Sequence, residues 1–510
     1  MSNVVNDNDC MLNTRVDGND EVTDIPSPKK RPLNSEILAD PDRYLSYIED
    51  YSARSDVVSL FSLYPNVVSD LPGRCNLILH DVNIVADCTT PIRQAAYRVS
   101  PTKLDIMKQE VGYLLDNGLA EPSKSPWSSP CVLVPKPDGT SRLCTDYRKL
   151  NEVTIPDAYP LPLLDSLIDV VGESRYLTTI DLQKGYYQLG LTEGAMEKSA
   201  FITPFGLFQY RVLPFGMCNA PATFQRTINF VIQDLDGVYA YLDDLLVVSD
   251  SWEDHMNKLK QLFHRLAEAG LTINLSKSVF GQGQVEYLGH LVGGGWTRPK
   301  QANVEAMLAF PKPTNRKSLL RFLGMVGYYR RFCSNFSTIA EPLTNLTSPK
   351  IPFKWTPLCD EAFRKLKEFM VSDPVLKTPL HDRPFTLQVD ASAVGVGAVL
   401  LQEDMATGVL HPVCFFSAKL KPHQKSYSTI ELEALALVMA LKKFEVYLHQ
   451  HPHPVRVQTD HNPITFIRKM ANNYQRILRW SIEIQRFNLS IEHIKGKLNV
   501  LADPLSRDIQ

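Results

Sequence analysis

Ala240-Tyr241-Leu242-Asp243-Asp244-Leu245-Leu246-Val247-Val248 sets two adjacent carboxylates between two apolar, strand-forming runs. Side chains alternate across a strand, so neighbouring aspartates point to opposite faces unless a tight turn brings both to one locality. The pattern predicts a β-hairpin with the acids at its turn. Such a pair is either a solvated tip, since Asp is a favoured turn residue, or a site that needs a cation. Upstream, Leu177-Thr178-Thr179-Ile180-Asp181-Leu182 reads as a β-branched strand ending in one acid, followed by a turn containing Gly185. Asp181 is then expected to face the hairpin across a sheet. Three carboxylates that close repel one another and take up protons unless divalent ions neutralise them, as in two-metal phosphoryl transfer. All the offered ligands are hard oxygens, which selects Mg²⁺.

Between these acids lies Leu213-Pro214-Phe215-Gly216-Met217-Cys218-Asn219-Ala220-Pro221, with Asn219 as the expected helix cap and Pro221 tolerated in the first turn. Strand, helix and hairpin in this order suggest a split βαβ palm. From about Pro91 to Leu291 the chain resembles the reverse transcriptase of Ty3/gypsy-type retrotransposons. The resemblance rests on Val134-Pro135-Lys136-Pro137-Asp138-Gly139, Asp146-Tyr147-Arg148-Lys149-Leu150-Asn151, Ile180-Asp181-Leu182, Leu213-Pro214-Phe215-Gly216 and Tyr241-Leu242-Asp243-Asp244, in the family's order and approximate spacing. It implies that Asp181 and Asp243 are the principal metal ligands, that Asp244 completes the triad and that the Leu182 carbonyl adds an oxygen. It further implies that Lys136 and Arg142 clamp the dNTP triphosphate. Tyr186 would lie beneath the sugar and exclude a ribose 2′-hydroxyl, and Gly185 and Phe215 would line the same pocket.

A second acidic constellation follows. Phe385-Thr386-Leu387-Gln388-Val389-Asp390 is a strand ending in a carboxylate, and Gly395–Leu401 returns beside it. Glu431 and Glu433 open a strongly helical stretch, and Val455-Arg456-Val457-Gln458-Thr459-Asp460 is another strand ending in Asp. With Asn499-Val500-Leu501-Ala502-Asp503, these resemble the RNase H domain that follows the polymerase in the same family. The resemblance implies Asp390, Glu433, Asp460 and Asp503 as ligands of two Mg²⁺ ions, with Mn²⁺ as the alternative in either site. Glu433 is preferred because it directly precedes Ala434-Leu435-Ala436-Leu437, whereas Glu431 favours the helix N-terminus. His493 is either the mobile histidine that assists water entry or product release in related nucleases, or a solvated strand-end residue.

The fold expected is α/β and α+β multidomain: a right-hand polymerase of fingers, palm and thumb, then a five-stranded RNase H-like α/β domain. The expected boundaries are a disordered tail over 1–35, a connector over 36–90, fingers and palm over 91–295, thumb and connection over 296–380 and the RNase H-like domain over 381–510. With 510 residues and 44% apolar content, several cores are affordable. Nine cysteines without a CxxC pair point to reduced thiols, and no run is apolar enough to span a membrane. The intracellular expectation covers the cytoplasm or a virus-like particle, with Pro28-Lys29-Lys30-Arg31-Pro32 leaving the nucleus open or being only a charged tail. His449, His451 and His453, interrupted by prolines, read as an exposed loop.

Net charge is only −2, so distribution matters more than sum. Lys312, Arg316, Lys317, Arg321, Arg330 and Arg331 sit in a stretch free of acids and interleaved with Phe322, Tyr328 and Tyr329. Leu319, Leu320, Leu323 and Val326 are expected to form the buried face of a helix there, leaving the cations to track phosphates. A smaller group, Arg476, Arg479, Arg486, Lys495 and Lys497, is expected to grip a hybrid. The expected partners are an RNA template, a DNA primer, the RNA–DNA hybrid and dNTPs, with a homodimer or other pol and gag products open. No Asp-Ser/Thr-Gly protease triplet occurs, and the chain stops seven residues after Asp503, short of any integrase.

Overall fold

The computed structural model describes residues 32–87, 90–135, 141–372, 374–392, 395–459 and 475–494. The N-terminal basic run, Lys136, Asp460, Lys495, Lys497 and Asp503 lie outside the described residues. The chain forms two compact units, one ending at Gln282 and the other taking Ile168–Arg175 together with the chain from Gly283.

The first unit is organised on a four-stranded antiparallel sheet in the order Ile273–Gln282, Tyr176–Leu182, Asp244–Ser249, Val238–Tyr241. Leu245 and Val247 are fully buried in the core formed where the helices Ala220–Val231 and Trp252–Ala269 pack on this sheet, and Leu246 is buried on the opposite face. Trp252–Ala269 begins where Ser251 accepts a hydrogen bond from the Asp254 N–H at 3.3 Å, and it ends at Gly270, whose φ of +68° suits glycine. Its buried Leu259, Leu262, Phe263 and Leu266 recur at helical spacing. A second sheet runs Ala120–Pro122, Gly206–Tyr210, Phe201–Thr203, Ser129–Pro135, Ser141–Thr145.

The expected connector is part of this core. The helix Tyr51–Leu63 buries Val57, Leu60 and Phe61, and the Phe61 ring meets Phe280 at 5.3 Å, edge to face. Buried Asn34, which opens the helix Asn34–Ala39, donates to the Ile273 carbonyl at 2.7 Å and accepts from the Leu275 N–H at 2.9 Å, tying that helix to the sheet edge.

The second unit starts earlier than residue 296. Val285–Tyr287, His290–Gly293 and Trp296–Pro299 form a new sheet that pairs with Leu376–Lys377, so the chain leaves the first core at Gln282. The helix Arg316–Tyr328 follows, capped by Asn315, which accepts from the Ser318 N–H at 2.9 Å. Its buried face is Leu319, Phe322 and Val326, spaced i, i+3, i+7. Leu320, expected inside, is 53% exposed because it lies one residue, about 100°, off that stripe. The last sheet is five-stranded, as expected, in the order Leu410–Lys419, Gly395–Glu403, Phe385–Ala391, Val455–Thr459, Leu489–His493. The first two strand pairs are antiparallel, while Val455–Thr459 and Leu489–His493 run parallel to Phe385–Ala391. The helix Thr429–Lys443 packs on this sheet through Ala434, Leu437, Val438 and Leu441.

Candidate active sites

The hairpin has a two-residue turn. Asp244 is the first residue of its strand and pairs with Tyr241, which leaves Leu242 and Asp243 as the connection. Leu242 has φ +53°, a conformation rare for a branched side chain and one that a tight hairpin turn demands. Gln225, fully buried on the helix Ala220–Val231, holds that turn: its amide donates to the Ala240 carbonyl at 3.1 Å, and its carbonyl oxygen accepts from the Leu242 N–H at 2.8 Å. On the other side Asp244 faces Asp181 as register partner, and the Leu182 N–H donates to the Asp243 carbonyl at 3.0 Å. Asp181, Asp243 and Asp244 therefore share one end of the sheet.

Gly185 opens a short 3₁₀ turn beside them, where a Cβ would stand 3.1 Å from the Asp243 Cβ and 3.6 Å from its Oδ2. Tyr186 packs its ring 5.1 Å from Phe215 and 5.2 Å, edge to face, from Phe224. Burial, and then the Asp243 charge, push the Tyr186 phenol above its ordinary range. Arg142, exposed on Ser141–Thr145, lies with its guanidinium 5.2 Å from the Phe215 ring centre, so it reaches the same aromatic group.

Sequence reasoning missed two members of this site. One is Gln225, whose polar side chain in a buried helical position was the available signal. The other is Lys277, which donates to both oxygens of Asp181, at 3.0 and 2.8 Å. Asn219 also differs from expectation. It occupies the cap position without capping, because its side chain donates to the Ile155 carbonyl at 2.8 Å and accepts from the Asp157 N–H at 3.0 Å.

The donor set suits a hard divalent cation: carboxylate oxygens, a backbone carbonyl, and the room that Gly185 leaves beside Asp243. No three His, Cys, Asp or Glu side chains close into a metal cage among the described residues. An ammonium already bridges Asp181, and Mg²⁺ is ordinarily held by one or two carboxylates together with substrate phosphates rather than by an all-protein cage. The fit is to an ion that arrives with its phosphates.

In the second unit, Asp390 is 4% exposed near the end of its strand and Glu433 is 5% exposed on the helix that covers it. Glu431 is occupied otherwise. It accepts from the Ser428 N–H at 3.0 Å, completing a capping box, and from Arg476 at 2.6 Å. The backbone hydrogen bond from Ser428 leads the effects that depress its pKa. His493 is exposed and ends its strand as the register partner of Thr459.

The basic stretch divides. Lys317, Arg321 and Arg330 are exposed, and Lys312 is exposed but paired with Asp360 at 2.7 Å. Arg316 donates to the Leu346 carbonyl at 3.3 Å and to the Ile351 carbonyl, so it ties its helix to the segment 346–351. Arg331 corrects the expectation. It is 7% exposed and bonded at 3.1 Å to Asp169, which also accepts from the Tyr447 hydroxyl at 2.6 Å, leaving it no access to a phosphate.

Comparison with known proteins finds a family model over each group of acids, though not over Asp460 or Asp503. Residues 134–292 match the family model described as reverse transcriptase (RNA-dependent DNA polymerase), and residues 355–457 match the RNase H-like domain found in reverse transcriptase. The retrovirus-related Pol polyprotein from transposon 297 of Drosophila melanogaster is 37% identical over 440 residues, covering 85% of this chain and 41% of that protein. The transposon Tf2-3 polyprotein of Schizosaccharomyces pombe is 36% identical over 423 residues, covering 82% and 31%. The chain thus spans less than half the length of these relatives. Among solved structures, the foamy viral protease-reverse transcriptase in complex with double-stranded DNA shares the fold at a TM-score of 0.80 and 20% identity, over 92% of this chain and 84% of that one. The same viral protein with an RNA/DNA hybrid gives 0.75 at 19% identity, over 94% and 64%. The chain belongs to the Pol polyproteins of Ty3/gypsy-type LTR retrotransposons and carries their reverse transcriptase and RNase H-like domains.

Proposed function

We propose that this chain copies an RNA template into DNA by extending a primer with dNTPs, and that its second unit hydrolyses the RNA strand of the resulting hybrid. The observation that carries the reading is the register pairing of Asp181 with Asp244 beside the Asp243 turn. Two Mg²⁺ ions per site, when bound, supply an activated 3′-hydroxyl or water and stabilise charge on the leaving group. Asp181 and Asp243 are the principal holders in the polymerase site, with Asp244 and the Leu182 carbonyl beside them. Asp390, Glu433, Asp460 and Asp503 fill that role in the nuclease.

The remaining roles belong to the chain's own groups. Arg142, and Lys136 with it, orient the triphosphate, the guanidinium by paired N–H donors and the ammonium as a point charge. Tyr186, fixed between Phe215 and Phe224, walls off the space a 2′-hydroxyl would enter. Lys317, Arg321 and Arg330 contact phosphates without reading sequence. The solved viral reverse transcriptases are bound to double-stranded DNA and to an RNA/DNA hybrid, which supports the same partners here. The work would take place inside the cell, in the cytoplasm or a virus-like particle; no helix among the described residues is long and apolar enough to cross a membrane.

Primer extension on a labelled RNA template in Mg²⁺ reads synthesis and cleavage in one reaction. Asp243→Asn should abolish extension and leave cutting of a preformed hybrid, and Asp390→Asn should do the reverse. A folded wild type that binds hybrid and does neither would overturn the proposal in favour of a binding protein.

A further inference from the structure

A cavity of about 250 Å³ opens in the first unit beside the helix Ala220–Val231. Thr223 and Arg226, one turn apart on that helix, form one wall; Asp81, Asn83, Asp157 and Asn219 supply the other polar groups. At 3.6 residues per turn the face bearing Thr223 and Arg226 is turned away from Gln225, which holds the catalytic hairpin. The cavity therefore lies about one helix diameter, ~10 Å, from the three aspartates, or about three steps of a stacked strand at ~3.4 Å each.

Its chemistry is unsuited to a phosphate seated inside it, whereas a phosphate on a bound base would remain outside. Two carboxylates stand against one guanidinium, and that guanidinium is already committed to Asp157, at 2.8 and 2.9 Å, with its face 4.6 Å from the Tyr159 ring centre. Asp157 engages both oxygens with Arg226, and Asn219 bonds to the Asp157 N–H and the Ile155 carbonyl, while one Asp81 oxygen takes the Thr192 hydroxyl at 2.8 Å. The groups turned to a ligand are the other Asp81 oxygen and the Asn83 amide, which suit a neutral ligand with N–H and carbonyl groups along one edge. Leu79 and Ile155, 46% and 48% exposed, add apolar flanks on which a flat ring can lie. The volume is below the ~300 Å³ at which drug-sized pockets begin, and fits one heterocycle better than a whole nucleoside triphosphate. Extruded bases are held by hydrogen bonds to their edges and by stacking between aromatic or apolar side chains.

Resting on the reading of this chain as a template-copying enzyme, we propose that the cavity between Asn83, Asp157 and Arg226 takes one unpaired nucleobase, supplied by the template strand close to the active site. A free nucleotide presents the same chemistry, and the test separates the two sources.

The full chain is bound to template–primer duplexes carrying 2-aminopurine, one at a time, at each of the first few unpaired template positions. The expected result is a fluorescence change confined to one position and lost in Asn83→Trp, which fills the cavity from an exposed residue. An abasic nucleotide at that position should weaken wild-type binding about 10-fold and leave Asn83→Trp unaffected. Asp81→Asn, which keeps the volume and removes a charge, should fold normally and shift the preference among template bases there. If millimolar AMP instead raises the thermal stability of wild type but not of Asn83→Trp, and the abasic site changes nothing, the base comes from a free nucleotide. Uniform fluorescence, no abasic effect and no response to AMP, in a protein that still extends primers, would overturn the cavity assignment alone. Failure to bind any template–primer would overturn the functional reading beneath it.

Discussion

The ammonium of Lys277 spans both carboxylate oxygens of Asp181, at 3.0 and 2.8 Å. It is a built-in counter-ion at the point where three aspartates share a sheet end. Lys277→Met should therefore destabilise the first unit by about 1 kcal/mol in EDTA, a modest figure because the lysine is half-exposed. Mg²⁺ should restore more of the melting temperature in the variant than in wild type. An equal deficit with and without Mg²⁺ would assign Lys277 a role unrelated to the neighbouring charges.

Gln225 holds the hairpin turn through backbone bonds on both sides of Tyr241. Gln225→Ala should lower the extension rate constant about 10- to 100-fold, with dNTP KM and hybrid cleavage little changed, because the loss is one of positioning. Single-turnover extension checks this; a rise in KM alone would place its effect in nucleotide binding.

Tyr186 is fixed by two aromatic neighbours, so trimming it opens space rather than loosening the site. Tyr186→Val should reduce discrimination against ribonucleotides by on the order of 100-fold. Competitive incorporation of rNTP and dNTP measures it. Unchanged discrimination would return Tyr186 to a packing role.

His80 and His255 are 1% and 0% exposed, and burial depresses each pKa from 6.5 to about 4. His80 is hydrogen-bonded to Thr223 at 2.8 Å, and His255 joins Thr178 and Ser249 at 2.7 and 2.6 Å. With the folded pKa below the unfolded one, the unfolded chain takes the proton first. Stability is therefore full above pH 6.5, falls as pH drops through that value, and stops falling for this reason below about 4. The cost at pH 5 is about 2 kcal/mol for each histidine. Urea unfolding followed at Trp252, whose ring stacks 5.9 Å from His255, should show His255→Gln with a lower midpoint at pH 7.5 but a shallower decline toward pH 5. A parallel decline would exclude His255 as a source.

Arg331 and its exposed neighbours should separate cleanly. Arg331→Met strands buried Asp169 and should cost about 3–5 kcal/mol in the second unit without changing the salt dependence of hybrid binding. Lys317→Ala or Arg321→Ala should leave stability intact and reduce the slope of log affinity against log salt by about 1. The opposite outcome would restore Arg331 to the nucleic-acid surface.

What could be read from the chain depended on whether a residue's role is local. Asp243 and Asp244 lie inside a strand-turn-strand pattern that declares its own geometry, and the expectation that Glu431 serves the helix N-terminus is met by the Ser428–Glu431 capping box, while the choice of Glu433 came from the family resemblance. Arg331 failed because its partner, Asp169, is 162 residues away, and no local pattern separates a buried guanidinium from an exposed one. Leu320 failed for a smaller reason: four apolar residues in an eight-residue window fit more than one helical stripe. Lys277 and Gln225 act on groups brought together only by the sheet, so their roles became visible with its register.

That register reaches further than the site. Six successive pairs, from Asp244↔Asp181 to Ser249↔Tyr176, zip the two acid-bearing strands together, and all of Leu245, Leu246 and Val247 lie in the core. The carboxylates are thus the open end of a ruler whose graduations are buried. A slip of one residue would move them by about 3.3 Å and exchange the two buried faces of the strand, so that every interior side chain would meet the wrong neighbours. Fidelity of alignment is inherited from packing, so a substitution deep in this sheet should be felt first as poor chemistry in a protein that still looks folded.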